Sequence, residues 1–331
     1  MMQNGGKKRE IRAFDWRDLF LVQRLQGEGL ALDYELAHVD GVFPLRDALH
    51  NYLLLGTGSR QTLVMPGLET FAQYLCAPDS KQVHLTYMAP APTTKDYAER
   101  WVEFLDHLVS VVGARGTHHI VAEARDDGPE MELFQRAGFG VFTRQVLFGL
   151  SRAPDLGKAV PELPGLRPWR PTDDWGVRLL YANIVPHIAQ QIEAPSDSAF
   201  SSKRWKHRWV LERDGEIIAS LAVRQGRAGG ALRLLLHPEA DIYVEALICH
   251  GLAKLAHGPA QPVYCRVRRY ESWLHAPLLA SGFTPVVRTA LVVKHTVVRV
   301  MTPEWRLAPG IEGGTEMTRP IAQARLHKTK G

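Results

Sequence analysis

Three stretches of this 331-residue sequence hold side chains whose types and spacing invite a chemical role. His118-His119 and Cys249-His250 are potential metal ligands. Structural zinc sites draw four ligands from recognisable pairs at short spacing, and neither doublet has a partner pair, so no metal site is expected. Lys203 to Trp209 reads Lys-Arg-Trp-Lys-His-Arg-Trp, a mixture that could grip phosphates and stack on bases. It runs straight into a predicted hairpin, which makes Trp209 a strand residue and the charges a solvated loop, so nucleic acid is not an expected partner. Gly226, Gly229 and Gly230 precede a strand rather than a helix and form no phosphate cradle.

Composition narrows the setting. Hydrophobic residues make up 45% and charged residues 23%, the balance of an ordinary globular protein. The cysteines, Cys76, Cys249 and Cys265, are too few for a disulfide framework and favour a reducing compartment. Met1 to Glu10 is polar and basic, unlike a signal peptide, and no later run approaches the roughly 20 apolar residues that span a membrane. A cytoplasmic protein without membrane contact is expected. The net charge of +5 would tolerate an anionic ligand.

A repeat organises the chain. Leu133 to Phe148 and Pro277 to Val292 align without a gap, placing Gly138-Phe139 and Arg144 opposite Gly282-Phe283 and Arg288. In each copy a short apolar helical turn stops at glycine, an aromatic follows and a strand begins, as a left-handed helix cap requires. One module used twice is predicted.

Residues 1–10 are expected to be disordered, 11–150 to form the first module, 151–165 the linker, 166–300 the second module and 301–331 a disordered basic tail. Each module opens with a short strand and a helix, Ile11 to Arg17 leading to Leu19, Phe20 and Val22, and Leu166 to Arg170 leading to Val177, Leu180 and Tyr181. Hairpins follow at Gln61 to Tyr74 and at Arg208 to Val223, the second turning on Asp214-Gly215. Then come strands Gln82 to Met88 and Ala231 to Leu236. Each is followed by proline and a helix, with stripes at Ala98, Trp101, Val102, Leu105, Leu108, Val109 and Val112 and at Val244, Leu247, Ile248, Gly251, Leu252 and Leu255. Fifth strands, Thr117 to Ala122 and Pro262 to Val267, complete right-handed parallel crossovers. The expected fold class is mixed α/β; the resemblance set out next implies a largely antiparallel twisted sheet in each module.

This order of elements, with the two Gly-Phe segments and the Asp214-Gly215 hairpin, resembles the GNAT superfamily of N-acetyltransferases in tandem, over residues 11 to 150 and 166 to 300. The resemblance implies that acetyl-CoA or another acyl-CoA lies where the fourth and fifth strands splay apart. It further implies pantetheine on the fourth strand, at Tyr87 and Met88 in the first module, and pyrophosphate on the amides opening the next helix. The family's Gln/Arg-x-x-Gly-x-Gly/Ala pattern is missing from both copies. Thr93, Thr94 and Lys95 could still hold an anion, whereas Asp241 would repel one and Ile242 and Val244 would crowd it, so the first module is the expected cofactor site.

Family members commonly place a tyrosine four residues before the repeated glycine as general acid. Phe134 and Leu278 stand there, and an effect on the order of 10² to 10⁴ is lost with it. Glu123, ending the fifth strand, and His84, on the fourth, are the candidate bases. Each also has a bland reading, Glu123 as a solvated strand end and His84 as a residue on the solvent side of its strand. The resemblance thus implies acyl transfer to a small-molecule or peptide amine, with a catalytically inactive binding scaffold as the alternative. The tandem pair would stand in for a GNAT dimer, and Gln26 to Asn51 and Asn183 to Ser202 would cover the acceptor.

Overall fold

The computed structural model describes residues 11–54, 60–76, 81–153, 161–193, 205, 207–256 and 261–296, without the side chain of Lys95. The expectations for residues 1–10, for most of the linker, for Asn183 to Ser202 beyond Glu193 and for the tail fall outside that set. The first half runs β1 (Arg12–Ala13), α1 (Leu19–Leu25), β2 (Leu30–Ala31), α2 (Tyr34–Asp40), α3 (Pro44–Leu53), β3 (Arg60–Met65), β4 (Thr70–Cys76), β5 (Gln82–Ala89), α4 (Lys95–Gly113), β6 (His119–Arg125), α5 (Pro129–Arg136) and β7 (Gly140–Leu150). The second runs β8 (Leu166–Pro168), α6 (Asp174–Ile184), α7 (His187–Ile192), β9 (His207–Arg213), β10 (Glu216–Gln225), β11 (Gly230–Leu236), α8 (Val244–Ala256), β12 (Val263–Arg268), α9 (His275–Ala280) and β13 (Thr284–His295).

The repeat is visible in its hydrogen bonds. Gly138 and Gly282 have φ of 76° and 86°. The amide of Phe139 reaches the Phe134 carbonyl at 2.9 Å, and that of Phe283 reaches Leu278 at 3.0 Å, the long bond of a Schellman cap. Both halves also open alike. Arg12 holds Asp18 bidentately at 2.6 and 2.7 Å, and Arg167 holds Asp173 at 2.7 and 2.8 Å. Each aspartate then accepts the amide three residues before it, from Asp15 or Arg170, which winds a 3₁₀ turn ahead of the helix. The first strand is two residues long, shorter than the expected Ile11 to Arg17, and Phe20 on the helix that follows is 79% exposed. Asp214 and Gly215, at φ 51° and 82°, make the expected hairpin turn.

Thirteen strands of the described residues form one sheet, ordered β1-β3-β4-β5-β6-β13-β7-β12-β11-β10-β9-β8, with β2 on β5. The last strands are exchanged. β13 pairs with β6 of the first half, and β7 pairs with β12 of the second, while β7 and β13 pair with each other. One face is covered by α4 and α5 in the first half and by α8 and α9 in the second. The α8 stripe is buried as its spacing predicts, and Phe104 joins Trp101, Leu105, Leu108 and Val112 on α4. The opposite face is covered by α1, α2, α3, α6 and α7. Helix α2 crosses from its own half onto the other, where Val39 packs with Ala222 and Ala231.

Candidate functional site

The fourth and fifth strands of both halves part company. β5 and β6 are paired in parallel only at Gln82–His119, Val83–Ile120 and His84–Val121, and β11 and β12 only at Gly230–Val263, Ala231–Tyr264 and Leu232–Cys265. In β5 the pairing with β4 skips a residue at Thr86, a bulge that bends the strand. What stands beyond the split differs between the halves.

In the first, the chain itself fills the gap. β2 pairs with β5 at Leu30–Met88 and Ala31–Tyr87. The Leu32 amide donates to the Thr86 carbonyl at 2.9 Å, the Glu123 amide to the Leu32 carbonyl at 3.0 Å, and the Ala91 amide to the Glu28 carbonyl at 2.8 Å. Residues 28–32 are therefore a strap bonded to both diverging strands. Leu32 is fully buried in the α4-side core, and the Tyr87 hydroxyl donates to the Gln26 carbonyl at 2.5 Å. Beyond the strap, Thr94 caps α4 by accepting the Tyr97 amide at 3.4 Å, and Thr93 and Thr94 are exposed.

In the second half, the stretch after β11 winds into a 3₁₀ turn, Pro238–Tyr243, before α8. The Asp241 carboxylate accepts the Ile242 amide at 2.7 Å, and Ile242 stands exposed. This turn carries its own negative charge where an anion would otherwise sit.

Between the two splits lies a buried polar cluster. The Glu123 carboxylate accepts the amide of Tyr34, the first residue of α2, at 3.0 Å and lies 3.5 Å from Arg266. Asp33 accepts the Leu36 amide at 2.9 Å and approaches His84 Nδ1 at 3.7 Å. From α2, Glu35 receives Arg233 Nη2 at 2.5 Å and faces Arg266 and Arg224, and Asp40 receives Arg224 at 2.8 Å. Arg268 Nη2 donates to Glu193 at 2.5 Å. Burial would raise the Glu35 carboxyl, but the guanidiniums of Arg233, Arg266 and Arg224 outweigh it and hold it at about 2. Burial and then neighbouring Asp33 raise Glu123, against Arg266 and His84.

Solved structures with the same architecture are numerous. A GCN5-related N-acetyltransferase from Sphaerobacter thermophilus matches 86% of this chain and 95% of its own, with a TM-score of 0.55 at 14% identity. The tandem GNAT protein from the clavulanic acid biosynthesis pathway matches 87% of this chain and 98% of its own, with a TM-score of 0.52 at 14% identity. This chain has the GNAT fold, twice in tandem. A Drosophila protein matches 87% of this chain and 98% of its own, with a TM-score of 0.53 at 15% identity. No family model matches the sequence, and no curated protein matches it.

The expected site residues now have a place within the GNAT frame, except the side chain of Lys95, which lies outside the described residues. The main chain of Tyr87 and Met88, expected to meet pantetheine, is paired with Ala31 and Leu30 of the strap. Thr93 and Thr94 keep the position expected of them at the start of α4. Glu123 is no solvated strand end: its side chain is 0% exposed and anchors α2. His84 does not stand on an open face either: its side chain is 22% exposed and approaches Asp33, the residue that caps α2. The structure does bring the two candidate bases together, with Asp33 between them. Phe134 and Leu278 are wholly buried core residues. Among the described residues no group of three His, Cys, Asp or Glu could hold a metal ion, and no helix is long and apolar enough to cross a membrane.

The four arginines were missed by sequence reasoning. Arg233, Arg266 and Arg268 do carry a signal, since charged residues at alternate positions of otherwise apolar strands point to one face of the sheet. Glu271, whose carboxylate accepts the Arg268 amide at 3.2 Å and which burial pushes up to about 7, gave no such signal. It follows β12 in a 3₁₀ turn.

Proposed function

We propose that this chain is a tandem GNAT-fold binding scaffold in which neither half works through acyl-CoA. The observation that carries this reading is the strap: residues 28–32 make with β5 the main-chain bonds that pantetheine would need. The acidic 3₁₀ turn of the second half supports it, because the Asp241 carboxylate takes an amide there and repels a pyrophosphate. The buried Phe134 and Leu278 support it again, since neither can protonate a departing thiolate.

Acyl transfer to a small-molecule or peptide amine is the second reading, favoured by the exposed threonines at the start of α4. It needs the strap to leave the split and would then use Glu123 or His84 as base. Calorimetric titration separates the two. No saturable heat is expected with acetyl-CoA at millimolar concentration, for the natural sequence or for Thr94→Arg. Saturable binding together with turnover of an amine that collapses in Glu123→Gln would overturn the scaffold reading.

A further inference from the structure

The guanidiniums of Arg233, Arg266 and Arg268 converge on the sheet face that α2 covers, and their bonding is incomplete. A guanidinium carries five N–H donors. Arg233 gives one bond, from Nη2 to Glu35, and Arg266 one, at a long 3.5 Å to Glu123. Arg268 gives Nη2 to Glu193, while its Nη1 is buried without a partner. The residue paired with Arg268 across the β7–β12 ladder is Gln145, whose side-chain oxygen is also buried and unpartnered. These two residues are only 6% and 4% exposed. A buried donor and acceptor left unmade are costly, and a native protein normally satisfies them. The neighbouring side chains are not sealed off: Arg233 and Arg266 keep 14% and 15% of theirs accessible, and Glu193 keeps 23%.

We propose that Arg233, Arg266 and Arg268, with Gln145, form a binding site for a small monocarboxylate. The planar fork of a guanidinium matches a carboxylate in shape and charge, and Gln145, with its amide turned, can donate to the ligand from Nε2, since an ionised carboxylate only accepts. Glu35 and Glu193 are held ionised by these arginines, and each takes only one of the donors they carry. This inference rests on the scaffold reading, to which it gives a ligand.

The test is calorimetry and thermal denaturation of the full chain at constant ionic strength with sodium acetate and sodium glycolate, and with sodium chloride and sodium phosphate as comparators. Acetate and glycolate are expected to bind saturably and raise Tm, chloride not at all. Gln145→Glu supplies a carboxylate to Arg268 Nη1 from within, so it should abolish acetate binding and raise Tm. Arg266→Lys, which keeps the charge and loses the fork, should weaken acetate by about tenfold. The proposal is overturned by an absence of saturable acetate binding to the natural sequence, or by unchanged affinity in Gln145→Glu. Should that variant not fold, unchanged affinity in Arg266→Lys overturns it alone. Acetyl-CoA is titrated in parallel: its binding with turnover of an amine would sink the scaffold reading, whereas silence from both ligands sinks only the carboxylate site.

Discussion

At the residue scale, Glu35 has the largest consequence for stability. A carboxyl held at about 2 in the folded chain, against 4.5 ordinarily, stabilises the fold fully above pH 4.5 and loses that contribution as pH falls toward 2. The gap corresponds to a contribution on the order of 3 kcal/mol. Glu35→Gln should therefore lower unfolding free energy by about 3 kcal/mol at pH 7, the range expected when a buried ion pair loses one partner. Urea unfolding followed from pH 7 down to pH 2 should show the two proteins converging at the acid end; a constant difference would mean that Glu35 does not act through its charge. Glu271 runs the other way. Raised to about 7, it favours the fold at low pH and loses that contribution as pH rises through its folded value, so Glu271→Gln should flatten the stability profile between pH 4.5 and 7.

At the scale of elements, the strap decides what the first half can bind. It is fixed by backbone bonds to both strands and by Leu32, which lies wholly within the α4-side core. Leu32→Ala should cost about 2 to 5 kcal/mol, as buried leucine truncations do, while the half-buried Leu30 should cost clearly less. Chemical denaturation measures both, and equal costs would mean that the strap is held by its backbone alone. Part of this element was legible in the sequence. The helical stripes, the Gly-Phe caps, the Asp-Gly turn and the strand order all follow from period and local chemistry. The strap does not, because Leu30 and Ala31 form a strand only where a diverging β5 offers them an edge. Nor could alternation along β5 reveal that His84 meets Asp33, which lies about fifty positions earlier in the chain.

For the molecule as a whole, the exchanged last strands make the halves depend on each other. Without β13, β6 and β7 would face one another across an empty strand position, and without the second half, β7 would lose β12 as well. Glu35 and Asp40 on α2 and Glu123 on β6 add a charged join to arginines of the second half. Residues 11–150 and 166–296, expressed separately, are expected to lack cooperative unfolding and dispersed amide resonances, and co-expression should restore both. A stable, monomeric first half on its own would contradict this. Such dependence differs from two modules joined only by a linker, where each core would close by itself.

The sequence alone determined the duplication, the order of elements and the absence of a tyrosine before either glycine, because caps, turns and apolar stripes are local. Tertiary structure decided the rest. It closed the first split with residues 28–32, exchanged β7 and β13, and gathered Arg233, Arg266 and Arg268 against Glu35, Glu123 and Glu193. The physical reason is that strand edges and buried charges choose partners by proximity in space, and positions up to about 200 apart in the chain meet here only after both halves have folded.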